Sequence, residues 1–152
     1  MSYLPEGAEV DYTASAIVVR EGKVLFMNHE KLGQWIQPGG HIEENETPDQ
    51  GAKREVMEET GFEIKFIDGD QPENFSEEED LPTPFNVNIH RIRENHFHCD
   101  FIYLAEVSGR KEATHSHEHN GLKWFSREEL KSGEIDMPEN IRRTVLEGLK
   151  KL

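Results

Sequence analysis

The sequence has one cysteine, no long apolar run and a shortage of basic residues. Because Cys99 has no second cysteine to pair with, no disulfide can form within the chain, which is typical of a reducing cytoplasm. No apolar segment is long enough to span a bilayer, and no signal peptide is evident. Lysine and arginine number 17 against 31 aspartate and glutamate residues, a formal net charge of −14. We therefore expect a cytoplasmic protein with no membrane partner and no large nucleic-acid interface, since the latter requires a basic surface.

The length and the apolar pattern predict one domain over residues 1–152, either a monomer or a homodimer. Apolar residues alternate or run together in short segments, and two pairs of these segments are joined by short turns, which predicts two hairpins. The predicted strands cover residues 14–19, 23–27, 35–37, 62–67, 85–92, 96–107 and 121–125. Predicted helices cover 48–60, 126–130 and 138–150, with polar loops at 68–84 and 108–120. Paired strands with a few helices favour a layered α+β domain.

The helix predicted at 48–60 has recognisable signals at both ends. Thr47 can cap its start, Pro48 suits the first helical position, and Gln50 can complete a capping box. Gly61 follows the last turn, where glycine commonly ends a helix. Before this helix, Gly39 and Gly40 allow the backbone a sharp or left-handed turn, because glycine has access to such conformations.

Three acidic residues of this helix share one face. At about 100° per residue, Glu55, Glu58 and Glu59 fall within an arc of roughly 100°. Like charges one turn apart destabilise a helix by about 0.2–0.5 kcal/mol per pair. A divalent cation such as Mg²⁺ or Mn²⁺ would reverse this effect, since hard cations prefer carboxylate oxygens. The alternative is an ordinary acidic face in contact with solvent.

Residues 40–62, GHIEENETPDQGAKREVMEETGF, resemble a complete Nudix box, the signature of the Nudix hydrolase family. The spacing of that motif is matched by Gly40, Glu46, Arg54-Glu55-Val56, Glu58-Glu59 and Gly61. The resemblance implies an α/β/α sandwich in which a mixed β-sheet lies between helices. It also implies hydrolysis of a nucleoside diphosphate linked to another group, by attack of water at phosphorus with Mg²⁺ or Mn²⁺ as the cofactor.

The same resemblance assigns roles to individual residues. Glu55, Glu58 and Glu59 are expected to bind the metal, together with the backbone carbonyl of Gly39. Either Glu55, the first choice, or Glu58 would take the proton from the attacking water. A further ligand is expected in the loop before the last strand, where Glu118 is the candidate; a water molecule could fill that position instead, which would leave Glu118 as a solvent-facing acid.

A second pair of residues in the motif is expected to be structural. Glu46 and Arg54 match positions that form a salt bridge in the family and order the loop over the helix. Arginine offers a planar fork that fits a carboxylate, which agrees with this role. The alternative is an ordinary surface ion pair, which contributes about 0–1 kcal/mol.

Histidines are abundant outside the motif. On an alternating strand, His96, His98 and Asp100 project to one face, and His90 could join them from the partner strand. Contact of His90 or His98 with substrate, a Zn²⁺ site, and plain surface histidines all remain open. A second group lies at His115, His117 and His119. Three aromatic residues are candidates to stack on a base, although each is more often found in a core: Trp35, Phe97 and Trp124.

The expected substrate is a small nucleotide, with a (d)NTP or a related compound as the default. The sequence features that mark several Nudix subclasses are absent, so hydrolysis of ADP-ribose or of another nucleotide sugar stays an alternative. A non-catalytic module that senses nucleotides is a second alternative, although its motif would often be broken. An isomerase-like relative acting on a prenyl diphosphate would need a catalytic cysteine, and Cys99 lies on a predicted strand far from the motif.

Overall fold

The computed structural model describes residues 1–29, 31, 33–109 and 119–152, with the backbone alone at 119 and 120. Within these residues there are eight strands and three helices. In chain order they are β1 (Glu9–Arg20), β2 (Lys23–His29), β3 (Gln34–Ile36), β4 (Gly39–His41), α1 (Pro48–Thr60), β5 (Glu63–Phe66), β6 (Asn86–Arg93), β7 (His96–Ser108), β8 (His119–Ser126), α2 (Arg127–Ser132) and α3 (Glu139–Leu149).

Strand β1 lies in the middle of a mixed sheet. It runs parallel to β7, from the pair Glu9–His96 to the pair Val19–Glu106, and antiparallel to β2 and β4. Strands β3 and β8 pair with β2, whereas β5 and β6 pair with β7. Both predicted hairpins, β1–β2 and β6–β7, are therefore confirmed. The parallel pairing of β1 with β7 brings together two strands that the sequence separates widely.

The two faces of the sheet carry different helices. Ala14, Ala16 and Val18 of β1 lie in one buried cluster with Ala52 and Val56 of α1. The intervening residues of β1 face the other side, because side chains alternate along a strand. There they share a second buried cluster with α2 and α3, which includes Ile17, Val19, Leu130, Val145 and Leu149. The expected α/β/α sandwich is confirmed.

Helix α1 begins and ends where its local signals predict. The backbone N–H of Thr47 donates to Oε1 of Gln50 at 2.8 Å, which is one half of the capping box. Gly61 takes a left-handed conformation with φ of 80°, and its N–H donates to the carbonyl of Met57 at 2.9 Å. These local contacts fix the helix at Pro48–Thr60.

Gly39 and Gly40 do not form the turn that glycine allows, and both residues belong to strand β4, which the sequence did not predict. They pair with Ser15 and Ala14 of β1 in a regular antiparallel register. A Cβ atom on Gly39 would lie 2.6 Å from the carbonyl oxygen of Ala14, and one on Gly40 would lie 2.5 Å from Cδ of Glu55. Glycine is required here by close packing and not by an unusual backbone conformation.

A buried arginine joins the two C-terminal helices. Arg142 donates from Nη1 to the carbonyl of Leu130 at 2.8 Å and from Nη2 to the carbonyl of Ile135 at 2.7 Å. Its Nε donates to Glu139 at 3.2 Å. These bonds satisfy carbonyl groups at the end of α2 and just beyond it. Within the described part of the chain, none of the helices has the length and apolar character needed to cross a membrane.

We predict that Arg142→Met destabilises the protein by about 2–4 kcal/mol, because buried carbonyl groups lose charged hydrogen-bond donors. The neighbouring substitution Arg143→Met is the matched control: Arg143 is exposed, so its effect should stay within about 0.5 kcal/mol. Urea unfolding followed by circular dichroism measures both free energies. Equal effects of the two substitutions would contradict the role given to Arg142.

Candidate active site

The acidic face of α1 packs against the backbone of β4. The N–H of Gly39 donates to Oε1 of Glu59 at 2.9 Å, and the carboxylate of Glu55 lies beside Gly40. Glu59 is buried, the side chain of Glu55 is 17% exposed and that of Glu58 is 58% exposed. The three acids that share a helical face therefore differ in their contact with water. Two of them lie where the strand comes closest to the helix.

Arg54 lies among these acids and binds several of them. Its guanidinium forms a two-point contact with Glu46, from Nη2 to Oε1 at 2.8 Å and from Nε to Oε2 at 3.1 Å. The remaining nitrogen, Nη1, donates to Glu55 at 3.0 Å and to Glu58 at 3.3 Å. Nη2 also donates to the carbonyl of His41 at 2.9 Å. One side chain thus ties the loop before α1, the acidic face and the end of β4 together.

These contacts shift the pKa values of Glu46 and Arg54. The hydrogen bond from Arg54 holds the pKa of Glu46 below its ordinary value, and the backbone N–H of Glu43 adds to this effect. The hydrogen bond to Glu46 raises the pKa of Arg54, which stays charged. The expected Glu46–Arg54 pair is therefore present in the structure, and it is a two-point contact with little exposure to solvent.

The donor set beside β4 fits a hard divalent cation. The carboxylate of Glu59 accepts from the N–H of Gly39, and that of Glu55 lies where a Cβ atom on Gly40 would be. Carboxylate and carbonyl oxygens are the ligands that Mg²⁺ and Mn²⁺ prefer. Glu118, the candidate for a further ligand, lies outside the described residues.

A cleft opens beside β4 on the sheet face that carries α3. Its volume of about 470 Å³ is in the range of small-molecule sites. Gly39, Gly40 and His41 form part of its wall, and the same strand, β4, contacts the acidic face of α1. Apolar and polar side chains from several elements complete the wall, among them Ile36, Ile92, Ile102, Asn88, His90 and His98.

A hydrogen-bonded polar network lies in this cleft. Asp100 accepts from Thr13 Oγ1 at 3.0 Å and from Ser15 Oγ at 2.8 Å, and burial raises the pKa of its carboxyl group. Gln37 donates from Nε2 to Ser15 Oγ at 2.9 Å. Among the described residues, the buried Oε1 atom of Gln37 has no hydrogen-bond partner. The network thus leaves a buried acceptor that a bound ligand can satisfy.

The histidine side chains gather at the edge of the cleft. His90 pairs with His98 across β6 and β7, with ring centres 5.9 Å apart, so the predicted neighbourhood of these two residues is confirmed. His41 joins them from β4, with its ring centre 5.0 Å from that of His98. Asp11 of β1 contacts His96, with Oδ2 2.7 Å from Nε2.

The charges in this cluster follow from its contacts. The hydrogen bond with His96 lowers the pKa of Asp11. Burial lowers the pKa of His98, and the neighbouring His41 and His90 lower it further. His98 is therefore a neutral imidazole near neutral pH, with a lone pair on one ring nitrogen.

The aromatic candidates lie outside the wall of the cleft. Trp124 packs on Phe62 with ring centres 5.8 Å apart, and the guanidinium of Arg20 lies 4.6 Å from the centre of its ring. Trp35 contacts Phe125 and packs against the second core cluster. Of the second histidine group, His115 and His117 lie outside the described residues, and only the backbone of His119 is described.

Several site residues were not recognised in the sequence. Asp11, Thr13 and Ser15 alternate along β1 and lie opposite His98, Asp100 and Ile102 of β7. This alternation of polar residues was the signal that could have identified one face of the strand. Gln37 and His41 directly flank the Pro38–Gly39–Gly40 segment, yet nothing in the local pattern distinguishes them from surface residues.

Comparisons with known proteins agree with this geometry. A family model described as "NUDIX domain" matches residues 11–147. A "Probable DHNTP pyrophosphohydrolase" of Lactococcus lactis is 34% identical over 99 residues, which is 65% of this chain and 55% of that protein. "Phosphatase NudJ" of Escherichia coli is 38% identical over 65 residues, 41% of this chain and 39% of that protein. The chain thus spans about half the length of these curated relatives, or less.

Solved structures extend the similarity over nearly the whole chain. A "hydrolase, NUDIX family" from Clostridium perfringens is 30% identical, with a TM-score of 0.77 over 93% of this chain and 97% of that one. A "MUTT protein" from Methanosarcina mazei is 20% identical, with a TM-score of 0.69 over 95% of this chain and 96% of that one. At that lower identity the second match shows the fold alone.

We predict that Glu46→Gln destabilises the protein by about 1–3 kcal/mol at pH 7, because a charged two-point contact is lost. The folded pKa of Glu46 lies below its unfolded value, so its contribution is present above the unfolded pKa, about 4.3, and declines as pH falls through the folded pKa. The difference between variant and parent should therefore shrink below about pH 4. Urea unfolding at a series of pH values measures it.

Glu43→Gln is the control for this prediction. Glu43 is 3.6 Å from Arg54 and its side chain is 65% exposed, so the substitution should change stability by less than about 1 kcal/mol. A difference for Glu46→Gln that stays constant between pH 7 and pH 3 would contradict the linkage.

Proposed function

This chain belongs to the Nudix hydrolase family, and from that premise we propose that it is a metal-dependent pyrophosphohydrolase of small nucleotides. One observation carries the proposal: Glu55 and Glu59 contact the backbone of β4, and the same strand forms part of the wall of the cleft. Carboxylates that contact a wall strand of a ligand-sized cleft suit binding of a cation and of the phosphates that accompany it.

The proposed metal ligands are those that the resemblance to the Nudix motif implies. Glu55, Glu58 and Glu59 would hold Mg²⁺ or Mn²⁺ with the carbonyl oxygen of Gly39, and Glu118 is proposed as a further ligand from its sequence position. The bound cation would supply charge neutralisation at the phosphate oxygens and a lower pKa for the attacking water. Arg54 orients Glu55 and Glu58 by hydrogen bonds to both carboxylates.

Glu55 is the proposed general base. Its carboxylate is largely shielded from solvent and lies beside Gly40, which is part of the wall of the cleft. A carboxylate there can accept a proton from water attacking a phosphorus atom at the mouth of the cleft. Glu58 is the alternative base. Its side chain is more exposed than that of Glu55, so its carboxylate is held less firmly in one position.

The polar network favours a nucleotide whose base enters the cleft. The unsatisfied Oε1 of Gln37 can accept a hydrogen bond from an amino or imino group of a base. The carboxyl group of Asp100, which accepts hydrogen bonds from Thr13 and Ser15, belongs to the same polar network. His90 and His98 line the same cleft and are proposed to contact the substrate. A (d)NTP or a related triphosphate fits these features.

The experiment is a substrate panel with Mg²⁺ or Mn²⁺, analysed by product masses. It contains the common (d)NTPs, DHNTP, which the name of the Lactococcus relative mentions, ADP-ribose and other nucleotide sugars. We expect a triphosphate to be converted by water to a monophosphate and pyrophosphate. Faster cleavage of ADP-ribose would replace the proposed substrate class, and binding without any product would indicate a nucleotide-sensing module.

We predict that Glu55→Gln and Glu59→Gln each lower kcat by about 10²–10⁴-fold, because a general base or a metal ligand is lost. Glu44→Gln is the control, since Glu44 is exposed in the loop of the same motif and should leave kcat within about twofold. Steady-state hydrolysis of the best substrate measures the rates. Near-native rates for both Glu58→Gln and Glu59→Gln would rule out the proposed metal site.

A further inference from the structure

A second set of metal-binding side chains lies across three strands of the sheet. Asp11 belongs to β1, His41 to β4 and His98 to β7, and one potential ligand atom from each lies within 4.8 Å of the other two. The set contains two imidazoles and one carboxylate, whereas the acidic face of α1 offers oxygen atoms. Among the residues that the structure describes, the two groups come together at β4, where His41 follows Gly40.

The distances suit a small tetrahedral coordination shell. Oδ2 of Asp11 lies 3.5 Å from Nε2 of His41 and 3.9 Å from Nε2 of His98. With bonds of roughly 2.0–2.1 Å, neighbouring ligands of tetrahedral Zn²⁺ lie roughly 3.3–3.4 Å apart. The two carboxylate–imidazole separations are therefore close to the tetrahedral value, and the two imidazole nitrogens lie within 4.8 Å of each other.

His96 supports the carboxylate from outside this set. Its Nδ1 is buried and has no hydrogen-bond partner within the described part of the chain. A proton is therefore best placed on Nε2, from which it can be donated to Oδ2 of Asp11 over 2.7 Å. A partner of this kind fixes the orientation of a metal-binding group, as commonly seen around metal sites.

Asp100, the acid expected from the sequence to accompany these histidines, is used differently. Both of its oxygens accept hydrogen bonds, from the hydroxyl groups of Thr13 and Ser15. It belongs to the network inside the cleft, so the carboxylate available to the histidines is that of Asp11.

We propose that Asp11, His41 and His98 bind a borderline transition-metal dication of the Zn²⁺ class at the edge of the cleft. Imidazole with one carboxylate suits Zn²⁺, Co²⁺ and Ni²⁺, whereas Mg²⁺ prefers oxygen ligands alone. Three protein ligands leave a fourth position open, as in zinc sites that also bind water or a ligand. His41 and His98 line the cleft, so an anionic part of a molecule bound there can reach that position.

The test uses untagged, metal-free protein in an excess of Mg²⁺, which occupies oxygen-ligand sites without competing for imidazole. Co²⁺ is titrated and followed by its visible absorption, which is intense for four-coordinate cobalt, and Zn²⁺ is titrated by calorimetry. We expect one equivalent of either metal per chain. We also expect Zn²⁺ to raise the thermal unfolding midpoint, because a ligand that joins three strands stabilises the folded state.

Substitutions identify the ligands. His41→Asn and His98→Asn should abolish the cobalt spectrum. The substitution of His41 should have little effect on the fold, because its side chain is 63% exposed. His96→Gln should weaken binding by about 10–100-fold, the usual effect of removing a supporting hydrogen bond. His90→Asn is the matched control and should retain the spectrum, since His90 lies next to His98 but outside the set.

The glutamate site provides the second control. Glu55→Gln should leave the cobalt spectrum unchanged, so a spectrum lost in that variant would place the ion at α1 and overturn the proposal. Absence of a stoichiometric site in the parent protein would overturn it as well, and so would equal binding by the parent, His41→Asn and His98→Asn. Circular dichroism of each variant verifies the fold. None of these readings depends on hydrolytic activity, so the proposal can fail while the proposed function holds.

Discussion

The candidate site depends on the hydrogen bonds and ion pairs that the guanidinium group of Arg54 forms. Acidic side chains one helical turn apart repel one another, in a chain whose formal net charge is already −14. Arg54 contacts Glu46, Glu55 and Glu58 at once, with little exposure of its own side chain. Its bond to the carbonyl of His41 places the end of β4 in the same assembly. Charge balance and backbone position are therefore controlled by one residue, and lysine, which lacks the planar fork, could not replace it.

Close packing of β4 is the second constraint on the candidate site, and this strand lies between two proposed sets of metal ligands. Gly39 and Gly40 let a strand lie directly against β1 on one side and against the carboxylates of α1 on the other. The oxygen ligands proposed for a hard cation belong to α1 and lie against one side of β4, whereas the proposed set of Asp11, His41 and His98 lies at the edge of the cleft. Hard and borderline cations prefer different donor atoms, so the two proposed sites would select different metals.

Features that depend on contacts between residues close in the sequence could be predicted. Features that depend on contacts between distant segments could not. The ends of α1 follow from Thr47 and Gly61, and its acidic face follows from helical periodicity, so both were predicted correctly. The strand at Gly39 and Gly40 was not predicted, because glycine serves close packing as well as turns and the sequence does not distinguish the two uses. The contact of Asp11 with the histidines of β7 depends on the parallel pairing of β1 with β7, and no local sequence pattern predicts that pairing. The roles of Glu118 and of the metal ligands stay predictions.

The parallel pairing of β1 with β7 also determines when the cleft can form during biosynthesis. Thr13 and Asp100, which meet inside it, are 87 residues apart in the chain. A ribosome releases β1 and α1 well before β7, so the emerging N-terminal half has its acidic helix but lacks the neighbour that completes the central strand. Contacts between such distant segments are slow to form because a long loop must close first. Until then β1 exposes an unpaired edge, and edges of this kind can pair with other chains.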